Sequence, residues 1–117
     1  MNVTWLNAKL AIAPQIAFSE IDDLKKMGFQ AIINNRPDGE APEQPLSDAL
    51  ERETVRRGLH YAYLPIIPGE MTDSDAAEFA RMVSEAEGPV LAFCRTGNRS
   101  TQLWNRAREI TPDISKS

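Results

Sequence analysis

The chain has 117 residues, 42% of them hydrophobic, with a formal net charge of -4 and an isoelectric point of about 5.0. That length suits one domain, spanning 1–117, with one real core, and the acidic balance argues against nucleic acid as the main partner. A single cysteine excludes an internal disulfide and points to a reducing, cytoplasmic setting, and one His beside one Cys leaves too few ligands for a usual zinc site.

No apolar stretch has the length to span a bilayer, and the N-terminus lacks the basic start and long apolar block of a signal peptide. The expected partner is a small anionic substrate, with no membrane and no cofactor. KLAIAPQI (9–16) reads as a short strand ending near Pro14. Ser19 is placed to cap a helix with Glu20, Asp22 and Asp23 early, Lys25 and Lys26 late, and Gly28 as its stop. QAIINN (30–35) is a β-branched strand, and RPDGEAPEQP (36–45), with three prolines, is loop. A helix follows from Leu46 to Arg57, with Ser47 as cap and Gly58 as stop.

HYAYLPI (60–66) is a third strand and IIPGEM (66–71) a turn. Thr72 to Glu87 is a helix with Thr72 and Asp75 as a variant capping box and Phe79, Met82, Val83 and Ala86 on one face. PVLAF (89–93), uniformly apolar, reads as a strand covered on both sides. A last helix, from about Asn98 to Ile110, carries Leu103 and Trp104 inward, with Arg106 and Arg108 on a solvated face and TPDISKS as a loose tail. The β-α-β-α-β-α-β-α order implies a small α/β fold with a mostly parallel sheet and helices on both faces. Ligand sites in such sheets lie at the carboxyl ends of the strands, where the loops 36–45, 66–72 and 94–98 emerge.

The chain's one thiol sits in VLAFCRTGNRST (90–101), directly after the apolar strand and just before a helix. A lone cysteine often only fills space, but Arg95, Thr96, Gly97, Asn98, Arg99 and Ser100 are poor material for a core. A helix N-terminus preceded by a Gly-containing loop offers several N–H groups to one anion. Arg99 adds a fixed cation, and Ser100 can donate toward the sulfur. All three favour thiolate over thiol at Cys94 and make it a nucleophile beside its own anion cradle.

CRTGNRS resembles the active-site loop shared by cysteine-dependent phosphatases and rhodanese-type sulfurtransferases. AIINNRPDGE (31–40) together with LAFCRTGNRS (91–100) resembles, over nearly the whole chain, the phosphatase-like domain of bacterial beta-lactamase-hydrolase-like proteins. The resemblance implies a cysteine-phosphatase, dual-specificity-phosphatase-like fold. It implies Cys94 as nucleophile, Arg99 as anion-binding cation and residues 95 to 98 with Ser100 as the cradle. Two features depart from tyrosine phosphatases: Phe93 stands where they carry His, and four residues rather than five separate Cys94 from Arg99. The shorter loop is of rhodanese length, although the Gly-His-Ile segment of rhodanese domains is absent.

Arg36 is placed either to contact a substrate anion or to hold its loop, and Asp38 and Glu40 to order it. Phosphatases of this type use a carboxylic acid on a neighbouring loop to protonate the leaving oxygen. Placing YLPIIPGE beside their pattern puts Glu70 nearest that position; Asp73 better serves the helix start. His60 opens its strand on the opposite edge and reads as a surface or packing residue. The expectation is an enzyme with a covalent Cys94 intermediate, slightly favouring sulfane-sulfur transfer from a donor to an acceptor thiol over hydrolysis of a phosphate ester. A phosphate-binding module without turnover and a redox-sensing thiol are the alternatives.

Overall fold

In the structure, a computed structural model describing residues 1–111, nine elements follow in order: β1 (Thr4–Trp5), β2 (Leu10–Ala13), α1 (Phe18–Lys26), β3 (Ala31–Asn34), α2 (Ser47–Arg56), β4 (His60–Tyr63), α3 (Asp73–Glu85), β5 (Val90–Phe93) and α4 (Asn98–Ile110). One sheet has the order β1-β2-β5-β3-β4; β1 is antiparallel to β2 and every other pairing is parallel. The mostly parallel α/β architecture read from the sequence is therefore the observed one, with the β1–β2 hairpin added at one edge. The tail segment TPDISKS lies, from residue 112 onward, outside the described residues.

Alternation along each strand feeds two cores. Leu10, Ile12, Ile33, Val90 and Ala92 face α3 and α4, where Phe79, Val83, Leu103 and Trp104 meet them. Ala11, Ala13, Ile32, Leu91 and Phe93 face α1 and α2, with Ile21, Leu24 and Leu50. Phe79 and Trp104 pack edge to face at 6.5 Å between centroids, so Trp104 is core, as its helix position predicts. β5, buried along its whole length, lies between β2 and β3.

Two caps differ from the sequence reading. Ala17, not Ser19, caps α1, and Glu20 accepts from the Ala17 N–H at 2.8 Å. Ser47 is already helical in α2: its N–H donates to Asp38 Oδ1 at 2.8 Å, and its hydroxyl meets the Tyr61 hydroxyl at 2.8 Å. The Thr72–Asp75 capping box of α3 forms as expected, through bonds of 3.0 and 3.1 Å. Arg106 does not sit on a free solvated face: it donates to Asp73 Oδ1 at 2.7 Å and to the Met71 carbonyl at 2.6 Å, tying α4 to the start of α3. Among the described residues, no helix is long and apolar enough to cross a membrane.

The register positions the site. Ala13 is level with Phe93, Phe93 with Asn34, and Asn34 with Tyr63. Four strands thus end together, and Pro14, Cys94, Asn35 and Leu64 leave the same carboxyl edge side by side.

Candidate active site

Cys94 lies at the foot of this edge, 1% exposed. The Gly97 N–H donates to Cys94 Sγ at 3.0 Å. Gly97 itself caps α4 with φ of 96°, a left-handed conformation that a side chain resists, and a Cβ there would stand 3.3 Å from Ile12 Cγ2. The glycine is thus required twice, once to turn the chain and once to admit the neighbouring strand. Thr96 Oγ1 accepts from the Asn98 N–H at 3.3 Å, which holds the loop just before the helix. The side chains of Arg95, Thr96 and Asn98 are on the exposed side of the loop.

Ser100 has a different partner from the one the sequence suggests. Its hydroxyl donates to Asn35 Oδ1 at 2.7 Å rather than to the sulfur. Asn35 also donates through Nδ2 to the Leu64 carbonyl, and through its backbone N–H to the Phe93 carbonyl. Ser100 therefore binds α4 to the ends of β3, β4 and β5, and acts on Cys94 only by fixing its loop.

Arg99 is held in a fork. Nη1 and Nη2 donate to the two oxygens of Glu40, each at 2.8 Å, and Nη1 donates also to the Ile66 carbonyl at 2.9 Å. Its Nε meets no acceptor among the described residues. Glu40 Oε1 in addition accepts from Arg36 Nε at 3.0 Å. The Arg99 guanidinium, together with that of Arg36, holds the Glu40 carboxyl below the usual carboxylate range, against burial, which pushes the other way. Sequence reasoning gave Glu40 only a share in ordering its own loop. The structure makes it the joint between that loop and Arg99. The signal was present as the only acid four residues beyond Arg36, but nothing in the spacing says that residue 40 meets residue 99.

The other predicted residues divide. Arg36 is at the site, buried, with Nη1 on Gln15 Oε1 at 3.0 Å; Gln15 in turn donates its N–H to the Arg95 carbonyl at 3.2 Å. Asp38 is not turned to a substrate: its carboxylate caps α2 and its N–H donates to the Tyr63 hydroxyl at 2.9 Å. Gln44, unnoticed in the sequence, closes the loop by accepting from the Glu40 N–H and donating to the Pro37 carbonyl. Glu70 is exposed and ends a turn whose N–H to Ile67 carbonyl bond measures 3.0 Å. Asp73 is committed to Arg106. His60 opens β4 at the opposite edge, exposed. A cavity of about 330 Å³ beside it, lined by His60, Ala62, Arg81 and Met82 among others, is likewise remote from Cys94.

Residues 2–110 match the family model of the beta-lactamase hydrolase-like protein, phosphatase-like domain. The chain belongs to this family. It is 38% identical over 104 residues to a beta-lactamase hydrolase-like protein of Xylella fastidiosa, covering 89% of this chain and 24% of that protein, so it spans about a quarter of the length of this curated relative. A solved protein of Neisseria meningitidis, described as a candidate phosphatase, is 31% identical with a TM-score of 0.86, over 97% of this chain and 84% of that one. P. aeruginosa TpbA, solved with phosphotyrosine, shares the fold at a TM-score of 0.72 and 16% identity, over 95% of this chain and 64% of that one. The chain thus shares the fold of these solved proteins.

Proposed function

We propose that residues 1–117 form one cysteine-dependent catalytic domain in which Cys94 takes a group covalently from a small anionic substrate, and that this group is sulfane sulfur. The observation that carries the choice is the commitment of the nearby acids. Glu40 is taken by two arginines, Asp38 by the start of α2 and Asp73 by Arg106, while Glu70 is exposed in a turn. A site without a poised acid suits a leaving group that departs as a stable anion. The span of only four residues between Cys94 and Arg99 also favours a single sulfur atom over a tetrahedral phosphoryl group. The lone cysteine fits a reducing, cytoplasmic setting.

In this reading the Cys94 thiolate attacks the outer sulfur of a donor such as thiosulfate. The new S–S bond forms as the bond to the sulfite group breaks, and sulfite leaves with the electron pair. The Cys94 persulfide accepts from the Gly97 N–H, and the positive charge of Arg99 offsets its negative charge. An acceptor thiolate or cyanide then attacks the terminal sulfur, and the pair returns to Cys94 as thiolate. No proton transfer is required in either step.

The family and the Neisseria relative favour a second reading, phosphomonoester hydrolysis. Cys94 then attacks phosphorus, Arg99 and the loop amides bind the equatorial oxygens, Glu70 protonates the departing oxygen, and water hydrolyses the phosphocysteine. Parallel assays of thiocyanate formation from thiosulfate and cyanide, and of aryl phosphate hydrolysis, separate the two. The first should be cysteine-dependent and the second absent. Cys94-dependent phosphate hydrolysis without thiocyanate formation reverses the choice, and anion binding without turnover in either assay leaves a recognition module.

A further inference from the structure

Arg36 has no part in the steps above, and its situation is unusual. Its side chain is 6% exposed, yet it carries a charged guanidinium. Nε is used by Glu40 and Nη1 by Gln15. Nη2 meets no acceptor among the described residues. It is not sealed off either, since the fully occluded, unpartnered side-chain polar atom among those residues is the amide nitrogen of Asn7. This nitrogen therefore keeps a donor directed at solvent-reachable space.

The charges do not balance. Arg36 and Arg99 both donate to Oε1 of Glu40, and among the described residues neither pairs with a second carboxylate. Two guanidinium groups share one carboxylate, so the wall keeps a positive charge at low exposure that only the Cys94 thiolate of the proposed mechanism and a bound anion offset. The surplus is close to the reacting sulfur. Asn34 is level with Phe93, so Arg36 and Arg95 leave neighbouring strands at the same height, and Gln15 touches both of them.

We propose that Arg36 is a second anion contact and that the substrate carries two anionic groups, one seated over Cys94 beside Arg99 and the other reaching Arg36 Nη2. The class is a two-headed anion: a sulfane-sulfur donor whose transferable sulfur is bonded to a separate oxyanion, or a diphosphate-like compound. This rests on the reading of residues 94–99 as an anion cradle.

The test is titration calorimetry on the Cys94→Ser chain, at one ionic strength, with sulfate as the single-headed probe and methylenediphosphonate as the two-headed one. The diphosphonate should bind about tenfold tighter than sulfate, as expected of one added charge-assisted contact. In Cys94→Ser/Arg36→Gln that preference should fall to within about twofold, whatever change in affinity the two probes share. Should Arg36→Gln not melt cooperatively, Arg36→Lys, which keeps the charge but loses the fork, decides alone and must lower the preference at least about threefold. A preference of the same size in the variants, or none in the parent, overturns the second contact. Sulfate binding without diphosphonate preference defeats this inference alone; failure of both probes to bind defeats the cradle itself.

Discussion

Replacing Glu40 by Gln leaves the loop's shape intact and removes the charge that Arg99 and Arg36 share. Glu40 accepts three charge-assisted bonds, at 2.8, 2.8 and 3.0 Å, and the side chains of Glu40, Arg99 and Arg36 are 22%, 12% and 6% exposed. Removing one partner of a fully buried pair costs about 3–5 kcal/mol. Partial exposure of Glu40 scales this to about 2–3 kcal/mol, because solvent screens what it reaches. For a domain of this length each kcal/mol moves the melting temperature by about 4 °C, so Glu40→Gln should melt about 8–12 °C lower. The freed Arg99 should raise KM for thiosulfate about tenfold with a smaller change in kcat, since the ion pair sets where the cation stands rather than performing the attack. Thermal melts and steady-state kinetics on one preparation measure both. A melting point within about 2 °C of the parent, or a variant that binds anions more tightly, refutes the reasoning. The second result would mean that Glu40 blocks Arg99 instead of aiming it.

Other expectations follow from the same geometry. Gly97→Ala forces a side chain into a left-handed backbone and against Ile12, costing about 1–2 kcal/mol; because it also shifts the N–H from Cys94 Sγ, activity should fall further than stability, read by comparing kcat with urea midpoints. Asp38→Ala should cost about 1 kcal/mol as a lost cap while Asp38→Asn restores it, and neither should abolish turnover. Glu70→Gln should leave thiocyanate formation unchanged; a loss of about 10²-fold or more would show that a proton from Glu70 is needed and refute the proton-free transfer. Because its arginines hold the folded Glu40 carboxyl below its unfolded value, the stability it contributes is complete above the ordinary glutamate range and is lost as pH falls through the lowered value. Urea midpoints from about pH 5 to pH 3 should fall more steeply for the parent than for Glu40→Gln.

The fold was largely legible because its strands are short apolar runs punctuated by glycine and proline, and VLAF in particular could only be a covered strand. The β1–β2 hairpin was not, since Thr4–Trp5 is two exposed residues with no alternation to read. Local capping rules chose Ser19 and Ser47, but the groups that cap are a Glu reaching back to Ala17 and an Asp nine residues before Ser47. Cys94, Gly97 and Arg99 were readable because one loop contains them all. Glu40 and Gln15 were not, because their roles depend on four strands ending level, which brings together loops far apart in the chain; Gln44 closes its own loop, through pairings that spacing alone does not reveal. Ser100 shows the same limit: a hydroxyl six residues from the thiol turned instead to Asn35.

The central claim is that Cys94 becomes covalently charged with one sulfur atom. Intact-mass spectrometry after brief exposure to thiosulfate, followed by removal of excess donor, tests it most directly. The parent chain should gain the mass of one sulfur atom, Cys94→Ser should gain none, and cyanide should reverse the gain. An unchanged parent mass, or the same gain on the serine variant, would contradict it.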